Sequence, residues 1–245
     1  MENIGIIDHR GAWCTSFNQM KNTSLQNSYT GFLRSFEQGR GIEFDVRDFK
    51  GDLVISHDIP EGKKLTLDEL FQLYGQFKSK AGPLAINIKA DGLQEKIKKA
   101  LDLYDIENYF LFDMSIPETI KYSKQDLKFC IRHSEYEKDP KNFSPYLYEK
   151  AVGVWVDQFF LCPEKGTWIT IEIIKQHLEY SKKVFIVSPE LHTWGRDTIY
   201  KNVWKQYKSI FEYLSKYKYN LNNIYLCTDL PNDATVYFKS ENTFV

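Results

Sequence analysis

The chain has 245 residues, 42% of them hydrophobic, enough to bury a sizeable core in one domain spanning 1–245. Lys plus Arg (32) and Asp plus Glu (33) cancel to a formal net charge of -1, so no global field recruits nucleic acid or an acidic membrane. The start, MENIGIIDHRGAW, has no basic n-region and no long apolar run, and no segment approaches the roughly 18–20 apolar residues of a membrane span; a cytoplasmic protein is expected.

In chain order, NIGIIDH (3–9) reads as a first strand, and LQNSYTGFLRSFEQG (25–39) as a helix. That helix has Tyr29, Phe32, Leu33 and Phe36 on one stripe and Gly39 as its stop. GIEFDV (41–46) is a second strand, FKGD a turn, and LVISHD a returning strand that brings back His57. TLDELFQLY opens a helix on a capping box, Thr66 to Glu69. LAINIK (84–89) is followed by DGLQEKIKKALDLY, a helix opened by Asp91 and repeating Leu93, Ile97 and Leu101. YFLFD (109–113) precedes SIPETIKY, again a capping box from Ser115 to Glu118. LKFCIR (127–132) leads into the weakest interval, with two prolines and a short helix after Ser144. VGVWVD (152–157), the IEIIKQHLEY helix carrying His177, and KVFIVS (183–188) come next. The segment RDTIYKNVWKQYKSIFEYLSKYKYN then places Trp204, Tyr207, Phe211 and Leu214 on one helical face, expected to lie on the barrel wall with its lysines in water. NIYLCTD (223–229) closes the series. Several strands are continuous apolar runs, as in parallel strands covered on both faces.

Strand followed by helix, repeated eight times, is the pattern of an α/β fold of the (β/α)8 TIM-barrel type. A doubly wound sheet, the rival, more usually has five or six strands. No GxGxxG or GxxxxGK[ST] element follows a strand, which leaves dinucleotide and P-loop nucleotide sites without support. The four cysteines show neither a CxxC pair nor zinc-ligand spacing; Cys130 and Cys227 sit in apolar runs and read as buried thiols.

Barrel chemistry sits at the carboxyl ends of the strands. His9 and Arg10 end the first strand. Glu43 and Asp45 share parity on the second, and their apolar neighbours Ile42, Phe44 and Val46 suit the helix side, so the acids face inward. Asn87 and Lys89 repeat the arrangement on the third strand. Asp113, Arg132 and Asp157, then Ser188 with Glu190, then Asp229, complete the circle. This polar cup points to phosphoryl transfer. Glu43 and Asp45 are hard oxygen ligands for Mg²⁺ or Ca²⁺. Arg10 and Lys89 would hold non-bridging phosphate oxygens, while His9 and His57 divide base and acid duties. The bland alternatives are a core histidine for His9, a surface turn pair for His57 with Asp58, and rim or cap roles for Asp157, Glu190 and Asp229.

HRG at 9–11, QNSYTGF, GIEFDVRDFKGDLVISHD, NIK and TDLP together resemble the glycerophosphodiester phosphodiesterase family, relatives of the phosphatidylinositol-specific phospholipase C (PI-PLC) barrels. The likeness is close over the opening 60 residues and follows strand order thereafter. It implies a PI-PLC-like phosphodiesterase barrel with a short insertion after the second strand, where only IPEGKKL follows His-Asp. It implies His9 and His57 as the acid–base pair, Glu43 and Asp45 as metal ligands, and Arg10 and Lys89 as phosphate contacts. A phosphomonoester and an alcohol would be the products. Asn87 stands where the family has a further ligand Glu, so Asn87 and a compensating Asp113 complete the expected metal set. Arg132, Trp194 and Arg196 are expected substrate contacts, the last two in a divergent SPELHTWGR loop. The expected substrate is a small, lipid-linked or glycan-linked phosphodiester. A barrel that binds phosphodiesters without turnover is the non-enzymatic alternative.

Overall fold

The computed structural model describes residues 4–14, 23–160, 166–192 and 199–239. Strand β1 (Gly5–His9) pairs in parallel with β2 (Gly41–Phe49), which carries an antiparallel return, β3 (Asp52–Ile55). The parallel sheet continues through β4 (Leu84–Ile88), β5 (Tyr109–Phe112), β6 (Cys130–His133), β7 (Gly153–Val156), β8 (Lys183–Val187) and β9 (Ile224–Thr228). Its order, β5-β4-β2-β1-β9-β8-β7-β6, joins the first strand to the last and curls the sheet into a nearly closed (β/α)8 barrel. The closing edge is thin. Among the described residues, β5 meets the chain entering β6 through a single bridge, Leu111 to Phe129, with the Leu111 N–H donating to the Lys128 carbonyl at 3.0 Å. All eight expected barrel strands and the β2–β3 hairpin are present.

The helices are α1 (Tyr29–Glu37), α2 (Leu67–Gly75), α3 (Gln94–Leu103), α4 (Ile116–Lys124), α5 (Pro140–Phe143), α6 (Pro145–Lys150), α7 (Ile171–Glu179), α8 (Ile199–Lys216) and α9 (Pro231–Phe238). The α2 capping box forms in full: Thr66 Oγ1 accepts the Glu69 N–H at 3.2 Å, and Glu69 Oε2 accepts the Thr66 N–H at 2.8 Å. At α4 only half of it forms. Ser115 accepts from the Glu118 N–H at 3.4 Å, but the Glu118 carboxylate accepts from the Gly92 N–H at 2.8 Å and from Lys121 at 2.6 Å. Helix α3 starts after Leu93 with no side-chain cap, so Asp91 does not open it as its position implied. Two short helices, α5 and α6, fill the proline-bearing interval. Among the described residues, no helix is long and apolar enough to cross a membrane.

Side-chain parity sorts the core. Ile42, Phe44 and Val46 face outward and pack with Phe32, Phe36, Leu70 and Phe71 of α1 and α2. The aromatic face of α8 (Trp204, Tyr207, Phe211, Leu214) is buried in a second cluster with Val184, Ile186 and Leu226. The inward residues form their own cluster, including Ile7, Ala85, Phe110, Phe112, Trp155, Phe185 and Cys227. There Phe112 stacks on Trp155 with ring centroids 4.1 Å apart, and Phe110 lies 4.0 Å from Phe185. Each such aromatic contributes about 1.5–3 kcal/mol by leaving water. The result is a dry aromatic plug inside the barrel, and the inward residues nearer the strand ends stand on it.

Candidate active site

The mouth of the barrel is built by continuing the same parity beyond the plug. The register pairs His9 with Glu43 across β1 and β2, and Asp45 with Asn87 across β2 and β4. Immediately after β1 the backbone turns through a left-handed residue, Arg10 (φ 56°), and then Gly11 (φ 81°). A Cβ on Gly11 would come within 2.9 Å of the Gly31 carbonyl carbon, so this turn requires glycine to let α1 approach. The turn aims the Arg10 N–H at Glu43 Oε2 (3.3 Å) and brings Arg10 Nε to 3.2 Å from Asp45 Oδ2. Asp113, just past β5, is likewise left-handed (φ 68°).

His9 is held from behind. Its Nδ1 lies 2.7 Å from Asp229 Oδ1, and the same oxygen accepts the Trp13 indole N–H at 3.2 Å. A carboxylate can only accept, so His9 donates from Nδ1 and presents Nε2 to the cup, 3.8 Å from Glu43 Oε2. Burial pulls the imidazole down, but the Asp229 and Glu43 charges outweigh it and raise His9 above its ordinary value of 6.5. Glu43 is raised in turn by burial and by its neighbour Asp45, against the pull of His9, Arg10 and Lys89. Behind Asp229 lies fully buried Glu190, which accepts from the Ser188 and Thr228 hydroxyls and from the Asp229 N–H at 3.2 Å. Burial pushes Glu190 up to about 7 despite those donors. The Trp204 indole N–H reaches Ser188 Oγ at 2.7 Å, so the network runs from the barrel wall to His9.

The expected metal centre is not there. Among the described residues no group of three or more His, Cys, Asp or Glu is placed to hold a metal ion. The expectation of a metal-dependent enzyme with Mg²⁺ or Ca²⁺ on Glu43, Asp45, Asn87 and Asp113 is therefore corrected. The physical reason is that the chain's own cations and an amide N–H stand against Glu43, Asp45 and Asp113. Asp45 takes Arg10, the Asn27 amide N–H at 2.8 Å, and Lys89 Nζ at 3.5 Å. Asn87 turns its amide N–H to Glu43 Oε1 at 3.2 Å instead of adding a ligand oxygen. Asp113 is paired with Arg132, and Lys89 Nζ stands 3.8 Å from it. Internal cations thus sit among the carboxylates where a metal was expected. Asn27 Oδ1, Asp45 Oδ1 and Asn87 Oδ1 are buried acceptors to which no described residue donates a hydrogen bond.

His57 lies at the lip of the cup. It is half exposed, bonded through Nδ1 to Asp58 at 2.8 Å, and lines an open cleft of ≈ 880 Å³ that also contains Arg10, Asn27 and Ser56. Arg132 faces the mouth beside Asp113, whereas Trp194 and Arg196 lie outside the described residues. His192 has Nε2 2.8 Å from Asp157 Oδ1, a second His–carboxylate pair at the mouth. Its signal was a histidine just after a strand-end SPE turn. His133 and His177 form a different pair, Nδ1 to Nε2 at 2.9 Å, behind the wall between β6 and α7. The Tyr148 hydroxyl bonds to His177 at 2.9 Å and Trp168 covers His133. Burial pushes His133 down to about 4 and His177 to about 3, so both rings are neutral near pH 7.

No family model and no curated protein matches this chain. Solved structures do. A glycerophosphodiester phosphodiesterase from Agrobacterium tumefaciens str. C58 aligns at TM-score 0.61 and 15% identity, covering 95% of this chain and 99% of that one. An Oleispira antarctica phosphodiesterase in complex with the product sn-glycerol-3-phosphate aligns at 0.63 and 13%, covering 97% and 98%. A glycerophosphoryl diester phosphodiesterase from Parabacteroides distasonis ATCC 8503 aligns at 0.62 and 14%, covering 96% and 86%. The chain shares the barrel fold of these enzymes along nearly its whole length.

Proposed function

We propose that the chain is a phosphodiester hydrolase whose own cations receive the phosphate. The observation that carries this reading is the His9–Asp229 dyad, which opens onto a cup holding Arg10 and Lys89 on a barrel of the phosphodiesterase type. Arg10 and Lys89 sit on Asp45, ready to exchange part of that pairing for the non-bridging oxygens of a diester, and they steady the charge that grows there in the transition state. His9, oriented by Asp229, offers Nε2 as the base toward the attacking hydroxyl, either a substrate hydroxyl or water. His57 at the lip of the cleft is the partner that protonates the departing alkoxide. Attack by water releases the alcohol and leaves a phosphomonoester; attack by a substrate hydroxyl releases the alcohol and leaves a cyclic phosphodiester, which a water then opens to the phosphomonoester.

The unmatched acceptors Asn27 Oδ1, Asp45 Oδ1 and Asn87 Oδ1 suit a substrate that brings hydroxyl donors. A glycerophosphodiester has them, and its glycerol hydroxyl is placed to attack the adjacent phosphorus. A binding barrel without turnover is the second reading, favoured by the Asn87 N–H on Glu43, which closes the cup on itself. Hydrolysis of a phosphodiester panel, read by product analysis in the wild type and in His57→Ala, separates the two. Turnover that falls in the variant for alkyl leaving groups but survives for nitrophenol supports His57 as the acid. Specific binding without product from any diester supports the second reading.

A further inference from the structure

The thin closing edge between β5 and β6 has a consequence for the substrate. Without a full ladder there, a cavity of ≈ 420 Å³ runs along the seam, within the range of about 300–1,000 Å³ common for small-molecule sites. Its walls include Met114, Ile116, Ile131, Pro140, Phe143 and Leu147, contributed by the start of α4, the outer side of β6, and α5 and α6. Cys130, an inward residue of the barrel, also lines it. Around it large apolar side chains are left in water. Phe143 is 81% exposed, Tyr136 75% and Ile116 49%.

The charged part of the cavity lining is shared with the candidate active site. Asp113 and Arg132 line the cavity and pair with each other, Arg132 Nε is 3.6 Å from Glu137 Oε2, and Asp113 Oδ2 is 3.8 Å from Lys89 Nζ. Lys89 in turn stands on Asp45 in the cup. One row of alternating charges therefore links the place where the phosphate is received to an apolar cavity. A molecule with a phosphodiester head and one apolar chain fits both ends at once. The Arg132 guanidinium, 5.1 Å from the Phe159 ring, stands at the junction between them.

We propose that the seam cavity binds a single alkyl or acyl chain of the substrate diester, making the preferred substrate a long-chain phosphodiester instead of a small water-soluble one. This inference rests on the phosphodiester-hydrolase reading above. Each methylene seated in the cavity strengthens kcat/KM about fourfold until the cavity is filled.

The test uses n-alkyl esters of glycerol phosphate, methyl to octyl, with the wild type, Ile116→Trp and Phe143→Ser. In parallel, calorimetry compares methyl phosphate with octyl phosphate, an arm that needs no turnover. The expected result is a kcat/KM that climbs with chain length in the wild type and flattens in both variants, the methyl ester being cleaved equally by all three. Octyl phosphate should bind at least tenfold more tightly than methyl phosphate, and Ile116→Trp should remove that margin. Equal cleavage of all esters overturns the cavity assignment and leaves the hydrolase reading standing, as does a chain-length gain that both variants retain. If no ester is cleaved, the hydrolase reading fails. The calorimetry then decides the cavity by itself, and equal binding of the two phosphates overturns it.

Discussion

Asp229→Asn isolates the contact on which the proposed chemistry depends. Asp229 Oδ1 receives His9 Nδ1 at 2.7 Å and the Trp13 indole at 3.2 Å in a buried setting. An amide of the same shape keeps the packing but removes the charge that orients and elevates the imidazole. A hydrogen bond to a charged partner is worth about 1.5–3 kcal/mol, or roughly 10- to 150-fold in rate. Loss of the correct tautomer adds to this, toward the 10²–10⁴-fold typical of a positioned acid–base group. With Asp229 neutral, burial acts on His9 against Glu43 alone, so its pKa falls from its raised position. If neutral His9 is the base, the wild-type rate should rise with pH through a limb above the ordinary histidine value of 6.5. In Asp229→Asn that limb moves to lower pH while the plateau kcat drops about 100-fold or more. Stopped assays of diester cleavage from pH 5 to 9, with circular dichroism to confirm folding, provide the readout. An unchanged limb and plateau would refute the role of the dyad.

Two further outcomes follow from the buried groups around the cup. Glu190→Leu leaves the Ser188 and Thr228 hydroxyls and the Asp229 N–H without an acceptor, at about 1–3 kcal/mol each, so its urea midpoint falls well below that of Glu190→Gln; equal midpoints contradict the network. His133 and His177 are held neutral, with folded-state pKa values of about 4 and about 3, while the unfolded chain takes up protons near 6.5. The unfolded state then binds more protons as pH falls below 6.5, and stability declines progressively until pH nears those folded values. Denaturation across pH 7 to 4 should show a steeper loss in the wild type than in His177→Gln, and parallel curves would contradict it.

The barrel was legible because its strands announce themselves. Runs such as LAINI and KVFIV are buried on both faces, and the alternation in GIEFDV assigns Ile42, Phe44 and Val46 to the helices and Glu43 and Asp45 to the mouth. The α8 stripe and the α2 capping box are local patterns of the same kind. What the sequence conceals is pairing between residues distant in the chain. The His9–Asp229 contact spans 220 positions, and the cap expected from Asp229's place after a strand gave no sign of it. Glu43 and Asp45 looked like metal ligands because their spacing is local, whereas Arg10, Lys89 and the Asn87 amide that occupy them come from other strand ends. Likewise Asp113 resembled a spare ligand until Arg132 met it across the open seam. A family pattern carries residue types and not the ion pairs of this chain.

In the proposed reaction the cup cleaves phosphodiesters with His9 as its base and Arg10 and Lys89 as its phosphate cations. The most direct measurement is hydrolysis of a glycerophosphodiester by the wild type and by His9→Gln, each with and without EDTA, with the glycerol 3-phosphate released quantified. The wild type should turn over at a rate that EDTA leaves unchanged, and His9→Gln should lose at least about 100-fold. Turnover retained in His9→Gln, or wild-type turnover abolished by EDTA and restored by a divalent cation, would contradict the proposed reaction.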